Sequence, residues 1–304
     1  MTNNRQQLGQ SELYAFPIAY GMWRFAGTDV KTAQAKIEAA LESGINLFDQ
    51  ADIYGVDGGG SFGDSELLFG KVLAANPSLR EKMIIATKGG IVLGVPYDSS
   101  GRYLEQAIEK SLQRMQIDCI DLYQIHRPDF LGNPQEIAAV LTKMREQGKI
   151  REVGLSNYLP SQIRALQAYL PFPIATQQPE FSCWQHAPLR DGIMDLCMEN
   201  KMTPLAWSPL AGGRLVMSLE DAKKQPDPRL AALVHKLQEV ADVHGVSRTV
   251  VALSWLLRHP AGVIPIIGTQ RVERIQDSIK SVELELSRPE WNSILVAAQG
   301  YSLP

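Results

Sequence analysis

Cysteine is scarce in this 304-residue chain, which contains only three. Cys119, Cys183 and Cys197 have neither the short paired spacing of metal or redox motifs nor the even number expected of a disulfide framework. We therefore expect no metal site and no disulfide scaffold. A reduced, cytoplasmic setting is the simplest interpretation.

Long apolar runs and blocks of like charge are also missing. No apolar stretch approaches the roughly 18 residues of a membrane-spanning helix, and the polar stretch from Met1 to Gln10 lacks the apolar centre of a signal peptide. The net charge is −3, with acidic and basic residues well mixed. Because no basic stripe is present, a nucleic-acid surface is not indicated. These absences predict a protein that binds neither membranes nor nucleic acids.

The composition is that of an ordinary globular protein, with 45% hydrophobic and 21% charged residues. Short β-branched, apolar runs alternate with longer segments of helical periodicity. The predicted strands are Phe16–Tyr20, Ile45–Phe48, Met83–Thr87, Cys119–Ile125, Ile150–Gly154, Ile174–Gln178, Thr203–Trp207 and Val263–Ile267. The helical segments lie near residues 31–43, 65–75, 102–115, 134–147, 160–169, 189–199, 229–258 (broken at Gly245) and 271–281.

The length suits one large barrel or two medium domains. Eight strand–helix units without a break in composition favour one parallel sheet, and closure suits eight units better than an open sheet does. We therefore predict a single (β/α)8 TIM barrel that spans residues 1–304 as one domain. A further helix near 287–298 is expected to pack against the outside of the barrel.

Unusual polar residues follow three successive predicted strands. Asp49 ends the second strand and leads to Tyr54, Lys88 follows the third, and His126 follows the fourth. Barrel enzymes carry their chemistry at these carboxyl-terminal strand ends. Because a lysine and an aspartate are costly to bury alone, we expect Lys88 and Asp49 to pair.

These four side chains suit the protonation of a carbonyl oxygen. A free tyrosine has a pKa near 10, and a neighbouring lysine cation would lower it. An aspartate would hold the ammonium group in place, and a neutral histidine could orient the carbonyl. We therefore predict that Tyr54 donates a proton to the oxygen while a hydride reaches the carbon.

The same residues carry a resemblance to a known family. The run Phe48-Asp49-Gln50-Ala51-Asp52-Ile53-Tyr54 resembles the aldo-keto reductase signature, in which an aspartate precedes the catalytic tyrosine by five positions. Glu66, with Phe69-Gly70, is similar to its continuation. Lys88 and His126 are similar to the other two tetrad members. The resemblance implies that Tyr54 is the acid, that Asp49 and Lys88 tune it, and that His126 orients the substrate.

Two departures from the family pattern are visible. Gln50 stands where threonine or serine is usual, and the glycine-rich loop from Val56 to Gly63 is longer than usual.

Downstream motifs resemble the family's nicotinamide cofactor site. The resemblance implies that Ser156, Asn157 and Gln178 bind the carboxamide and that Trp207 stacks on the nicotinamide ring. Glycines near Arg214 would let the backbone approach a pyrophosphate. The segment Ile264 to Arg271 resembles an adenosine-phosphate motif that opens a helix. The further cofactor residues implied are Ser208, Leu210, Gly212, Gly213, Arg214, Gly268, Thr269, Gln270, Arg271, Arg274, Asp277 and Ser278.

We expect NADP(H) rather than NAD, because Arg271 and Arg274 together could bind a 2′-phosphate. The predicted substrate is a small aldehyde or ketone, and Trp23, after the first strand, is the candidate substrate-binding residue. Substrate loops vary most in barrels, so the physiological carbonyl compound is left open. The oligomeric state is also left open, between a monomer and a small homo-oligomer.

Three alternatives remain at this point. Gly58-Gly59-Gly60-Ser61-Phe62-Gly63 satisfies the dinucleotide fingerprint with Glu81 about twenty residues on, although polar loop separates it from the preceding strand. A barrel aldolase could use Lys88 as a Schiff-base amine. A cofactor-binding regulatory subunit with little turnover is the third.

Overall fold

A small antiparallel hairpin precedes a closed parallel barrel in the computed structural model, which describes residues 5–303. The predicted domain therefore extends beyond the described residues at both ends, and the first four residues of the polar Met1–Gln10 stretch lie outside them. Within residues 5–303, no helix has the length and apolar character that would let it cross a bilayer.

The strands confirm the predicted (β/α)8 barrel. They are β1 (Gln6–Gln7), β2 (Tyr14–Ala15), β3 (Ala19–Gly21), β4 (Leu47–Asp49), β5 (Ile84–Gly89), β6 (Ile120–Ile125), β7 (Ile150–Ser156), β8 (Thr176–Gln178), β9 (Thr203–Ala206) and β10 (Ile264–Ile267). Strands β3 to β10 are parallel neighbours in chain order, and β10 pairs with both β9 and β3, which closes the ring.

Helices lie between the barrel strands as predicted. They are α1 (Val30–Glu42), α2 (Asp64–Ala75), α3 (Gly101–Met115), α4 (Pro134–Glu146), α5 (Pro160–Gln167), α6 (Ile193–Glu199), α7 (Leu219–Lys223), α8 (Arg229–His244), α9 (Arg248–Leu257), α10 (Val272–Ser278) and α11 (Arg288–Gln299). The break at Gly245 is real, because this residue takes a φ of 63° at the end of α8. The expected helix near 189–199 is shorter, since Gly192 has a φ of 86° and α6 begins after it.

Small and branched side chains fill the barrel interior. Leu47, Ala86, Leu122, Leu205 and Ile264 belong to one buried cluster. The hairpin adds apolar residues to that cluster from below, namely Leu8, Leu13 and Ala15. Its backbone is anchored by a hydrogen bond of 2.8 Å from Gly9 N to Thr203 Oγ1. The hairpin was not predicted, because strands of two residues show no periodicity.

The last helix packs on the outside of the barrel, as expected. α11 lies against α8, and its Trp291 stacks on Trp255 of α9 with ring centroids 4.7 Å apart and planes 6° from parallel. Each indole N–H donates to the other residue's carbonyl, at 3.1 and 2.9 Å. The helix therefore adds to the outer helical layer of the barrel by covering α8 and α9.

Candidate active site

Asp49 and Lys88 form the expected pair at the carboxyl end of the barrel. Asp49 ends β4, and Lys88 lies near the end of the adjacent β5. Lys88 Nζ is 2.6 Å from Asp49 Oδ2 and donates a second bond of 2.8 Å to the Gln50 carbonyl. Both side chains are buried, with 0% and 2% of the residue exposed. A buried pair is retained only when its remaining polar atoms are also satisfied.

Two glutamine amides complete this pair. Gln124 and Gln178 donate to Asp49 Oδ1 at 3.1 and 3.0 Å, and Gln178 also donates to Gln124 Oε1 at 3.2 Å. The sequence reasoning assigned Gln178 to a cofactor and missed Gln124. The available signal was its position near the carboxyl end of β6, two residues before His126, because alternate residues of extended backbone share a face.

Tyr54 is held over the pair by its own turn and by the neighbouring strand. Gln50 N and Asp52 N donate to the carbonyls of Ala86 and Lys88, at 2.8 and 2.9 Å, so the β4 ladder continues beyond Asp49. Lys88 Nζ lies 5.0 Å from the centre of the Tyr54 ring. The ring meets His126 edge to face, with centroids 6.0 Å apart. The structure therefore brings all four predicted residues together.

The electrostatics correct one expectation. Burial raises the pKa of Tyr54 by more than the Lys88 cation lowers it, so the net shift is upward rather than downward. For Lys88, burial alone would lower the pKa, but the Asp49 carboxylate and Tyr54 outweigh it and the pKa is raised. Lys88 is therefore a stable cation, and its effect is to limit the rise in the pKa of Tyr54.

His126 is neutral in this setting. Burial, together with the nearby Lys88 and Arg127 cations, holds its pKa well below the usual range. Its Nδ1 has no hydrogen-bond partner among residues 5–303, and its backbone N–H donates to the Gly89 carbonyl at 2.9 Å. The buried Nδ1 does not reach solvent, and the neutral imidazole, whose ring lies beside Tyr54, is a hydrogen-bonding group without a charge.

The predicted carboxamide-binding residues form a connected row beside His126. Ser156 Oγ donates to the Gln178 carbonyl at 3.0 Å, and Asn157 Nδ2 donates to Ser156 Oγ at 2.8 Å. Trp207 Nε1 donates to Asn157 Oδ1 at 2.9 Å. The Trp207 ring is partly exposed, so its orientation is fixed while one apolar surface stays accessible.

The segment after β9 presents its backbone to solvent. Ser208, Leu210 and Arg214 flank Gly212 and Gly213, which take φ angles of 69° and 96°. A Cβ at either glycine would meet nothing within 4 Å, so the space beside both residues is open, while the Gly213 N–H donates to the Leu210 carbonyl at 2.9 Å. The Arg214 guanidinium stacks 5.5 Å from the Trp184 ring centre.

The corner after β10 holds two exposed arginines, Arg271 and Arg274. Neither forms an ion pair with any other residue in the range 5–303. Gly268 has open space around it, and Thr269 Oγ1 accepts from Arg271 N at 3.3 Å. Lys36 of α1, which the sequence reasoning missed, donates to Gln270 Oε1 at 3.0 Å and adds a third cation to this corner.

Two further predicted cofactor residues are also bonded within the protein, like Ser156 and Asn157. Asp277 accepts from Ser247 Oγ at 2.6 Å and from Lys280 Nζ at 2.9 Å. Ser278 is buried, and its hydroxyl donates to the Arg274 carbonyl of its own helix at 2.7 Å.

Trp23 lies at the rim after β3 with 45% of its surface exposed. Its indole N–H donates to Asp57 Oδ2 at 2.7 Å, and the Arg24 guanidinium lies 4.7 Å from its ring centre. Asp57 belongs to the glycine-rich loop, so this bond connects the long loop to the mouth of the barrel.

The geometry disfavours two of the three alternatives. A closed barrel is not the open sheet of a dinucleotide-binding unit, and β4 ends at Asp49, well before the glycines of the loop. An aldolase needs a lysine with a lowered pKa, whereas the pKa of Lys88 is raised by Asp49.

Known proteins resemble this chain over nearly its whole length. The family described as aldo/keto reductase matches residues 17–297. A 6-dehydroglucose reductase of Novosphingobium aromaticivorans is 48% identical over 98% of this chain and 97% of its own. Oxidoreductase YdhF of Escherichia coli is 35% identical over 93% and 94%. The crystal structure of a thermostable aldo-keto reductase, Tm1743, with the inhibitor epalrestat has a TM-score of 0.79 and 25% identity, and covers 96% of this chain and 99% of its own.

Proposed function

Because the chain belongs to the aldo/keto reductase family, we propose that it is an NADP(H)-dependent reductase of small aldehydes and ketones, with Tyr54 as general acid. The observation that carries this proposal is the buried Asp49–Lys88 pair beside the Tyr54 ring, 5.0 Å from Lys88 Nζ. We further propose a cytoplasmic protein, folded as one domain over residues 1–304, that acts as a monomer or small homo-oligomer.

The roles of the side chains follow from their charges. Tyr54 stays protonated at neutral pH because its pKa is raised by burial, so it can give a proton to a carbonyl oxygen. The phenolate that remains is stabilised by the Lys88 cation, which Asp49 holds in place through the bond of 2.6 Å. Neutral His126 orients the carbonyl oxygen toward Tyr54.

The surrounding residues fit a nicotinamide dinucleotide. When bound, the cofactor supplies the hydride. Trp207 offers a ring surface, the open space beside Gly212 and Gly213 suits a pyrophosphate, and Arg271 and Arg274 suit a 2′-phosphate. Ser156, Asn157 and Gln178 lie beside Trp207 and suit the carboxamide.

Replacing Arg271 and Arg274 together by alanine should weaken NADPH binding by about hundredfold or more, since charge-assisted hydrogen bonds contribute about 1.5–3 kcal/mol each. NADH binding should change little, because NADH lacks the 2′-phosphate. Titration by tryptophan fluorescence measures both constants. Arg288→Ala, an exposed arginine at the start of α11, is the matched control. Equal loss of NADPH and NADH affinity would show that these arginines do not bind the 2′-phosphate.

We propose a sugar carbonyl compound, 6-dehydroglucose, as the first substrate to test. Two of the relatives carry this name, the second being the Agrobacterium fabrum protein at 36% identity over 93% of this chain. The purified protein should oxidise NADPH in the presence of 6-dehydroglucose and not of glucose. Turnover of simple aldehydes but not of 6-dehydroglucose would support the proposed reductase activity and contradict the proposed sugar substrate. NADPH binding without turnover of any carbonyl compound would instead support the regulatory-subunit alternative.

A further inference from the structure

A second carboxyl group, that of Asp52, is buried behind the proposed active site and is used by none of the steps above. Asp52 is 1% exposed, and neither of its carboxyl oxygens has a hydrogen-bond partner among residues 5–303. Its backbone N–H donates to the Lys88 carbonyl at 2.9 Å. The backbone of Asp52 is therefore bonded to the backbone of Lys88, the residue that carries the positive charge of the site.

The charged groups that face Asp52 are engaged elsewhere. Arg114 of α3 donates to Glu66 Oε2 at 2.7 Å, and Glu66 of α2 also accepts from Thr87 Oγ1 at 2.5 Å. Lys88 of β5 is bonded to Asp49. Asp52 thus faces the Glu66 carboxylate with no cation of its own.

Two phenols and one glycine form the rest of its surroundings. Tyr103 of α3 and Tyr123 of β6 face the carboxyl group. A Cβ on Gly89 would lie 2.3 Å from the Tyr123 hydroxyl and 3.2 Å from Asp52 Oδ2. Only glycine leaves room here for the phenol and the carboxyl group together.

We propose that Asp52 is an uncharged carboxylic acid in the active protein and a positioning residue for the proton transfer. Its neutral form leaves Asp49 as the single anion beside Lys88, so the lysine cation acts on Tyr54 without a second carboxylate to offset it. This inference rests on the proposed function for its catalytic consequence, but the neutrality of Asp52 is a property of the fold alone.

The physical reason for the neutral state is desolvation. An ionised carboxylate without a partner is very costly to bury, and such groups take up a proton instead. Burial, reinforced by the Glu66 carboxylate, raises the pKa of Asp52 well above its usual range. Asp49, three residues earlier, has a cation and two amide donors. Two nearby carboxyl groups with opposite environments are suited to opposite protonation states.

The test that needs no activity is the pH dependence of unfolding. The pKa of Asp52 is higher in the folded than in the unfolded chain, where it is about 4. Its contribution to stability is therefore complete below about pH 4 and is lost as pH rises toward the folded pKa, with the unfolding constant rising about tenfold per pH unit. Asp52→Asn cannot ionise and should lack this slope, so the variant gains stability over the wild type as pH rises.

Chemical denaturation of both proteins from pH 4 to pH 9 measures the difference. Asp121→Asn is the matched control, because Asp121 is equally buried but paired with Arg80 and Arg151 at 3.0 Å; this variant should be less stable than the wild type. If Asp52→Asn is destabilised like Asp121→Asn across the pH range, Asp52 is ionised and the proposal is wrong.

The pH profile of kcat/KM tests the catalytic consequence. Asp52→Ala should lower kcat. Asp52→Asn, which keeps an uncharged polar group, should restore it with the alkaline fall at the same pH as in the wild type, because the charge near Tyr54 does not change. Failure of Asp52→Asn to restore kcat would overturn the positioning role. An alkaline fall moved to lower pH in this variant would show that wild-type Asp52 carries a charge and would overturn its neutrality. A wild type that turns over no carbonyl compound would overturn the proposed function. The unfolding experiment would still test whether Asp52 is neutral, because it does not depend on activity.

Discussion

Replacing Tyr54 by phenylalanine should lower kcat for carbonyl reduction by about 10²–10⁴-fold, the range that a general acid contributes. Only the hydroxyl is removed, so the ring should keep its edge-to-face contact with His126, whose centroid lies 6.0 Å away. The pair of Asp49 and Lys88 is bonded to other groups and should stay in place. The loss should therefore fall on turnover and not on folding.

Single-turnover measurement of NADPH oxidation gives the size of this effect. Cofactor titration supplies the control, because the residues proposed to hold NADPH, such as Trp207 and Arg271, are untouched and the affinity should be within a factor of about two of wild type. Loss of NADPH binding would show that the hydroxyl matters for the fold of the mouth. Turnover close to that of the wild type would assign the proton donor to another group.

Lys88→Met should damage both activity and stability. The substitution leaves Asp49 buried without its cation, which costs about 3–5 kcal/mol in comparable pairs. The lower end of that range is expected here, because Gln124 and Gln178 continue to donate to Asp49 Oδ1. Turnover should also fall, since the phenolate left on Tyr54 loses its stabilising charge.

The direction of the pH effect distinguishes this role from simple unfolding. Reduction needs protonated Tyr54, so kcat/KM falls as pH rises through the pKa of Tyr54. Lys88 lowers that pKa, so in Lys88→Met the alkaline fall should move to higher pH. The double variant Asp49→Asn with Lys88→Met should regain part of the stability, because no buried charge remains. An unchanged pH profile in a folded, still active variant would contradict the tuning role.

The fold was predictable because its signals are local. Apolar runs such as Ile84–Ile85 alternate with amphipathic segments, and turn residues such as Gly245 lie where helices end. The strand bounds were less predictable. Phe16 was assigned to the first strand, but its N–H donates to Asn46 Oδ1 and Pro17 has no N–H to donate, so β3 begins only at Ala19.

The residues of the site also differ in whether the sequence alone could identify them. Asp49, Lys88 and His126 each lie within one residue of a strand end, and Tyr54 follows five residues after Asp49; these positions can be read along the chain. Gln124 contacts Asp49 across 75 residues, and Lys36 contacts Gln270 across 234. Such pairs are created by barrel closure.

The sign of the shift in the pKa of Tyr54 could not be predicted either. It depends on how far burial outweighs Lys88, and burial is a property of the packed mouth. The same holds for Asp52, whose neutrality depends on Arg114 being engaged by Glu66.

Barrel closure joins strands from opposite ends of the chain, since β10 (Ile264–Ile267) pairs with β3 (Ala19–Gly21). During synthesis the outer edge of β3 has no partner until β10 has left the ribosome. Gln6 Nε2 likewise cannot form its hydrogen bond of 2.8 Å to the Gly262 carbonyl until Gly262 has been synthesised. Unpaired strand edges are templates for aggregation, and translation proceeds at only about 5–20 residues per second. The edge of β3 is therefore exposed for at least the time that the ribosome needs to reach Ile267.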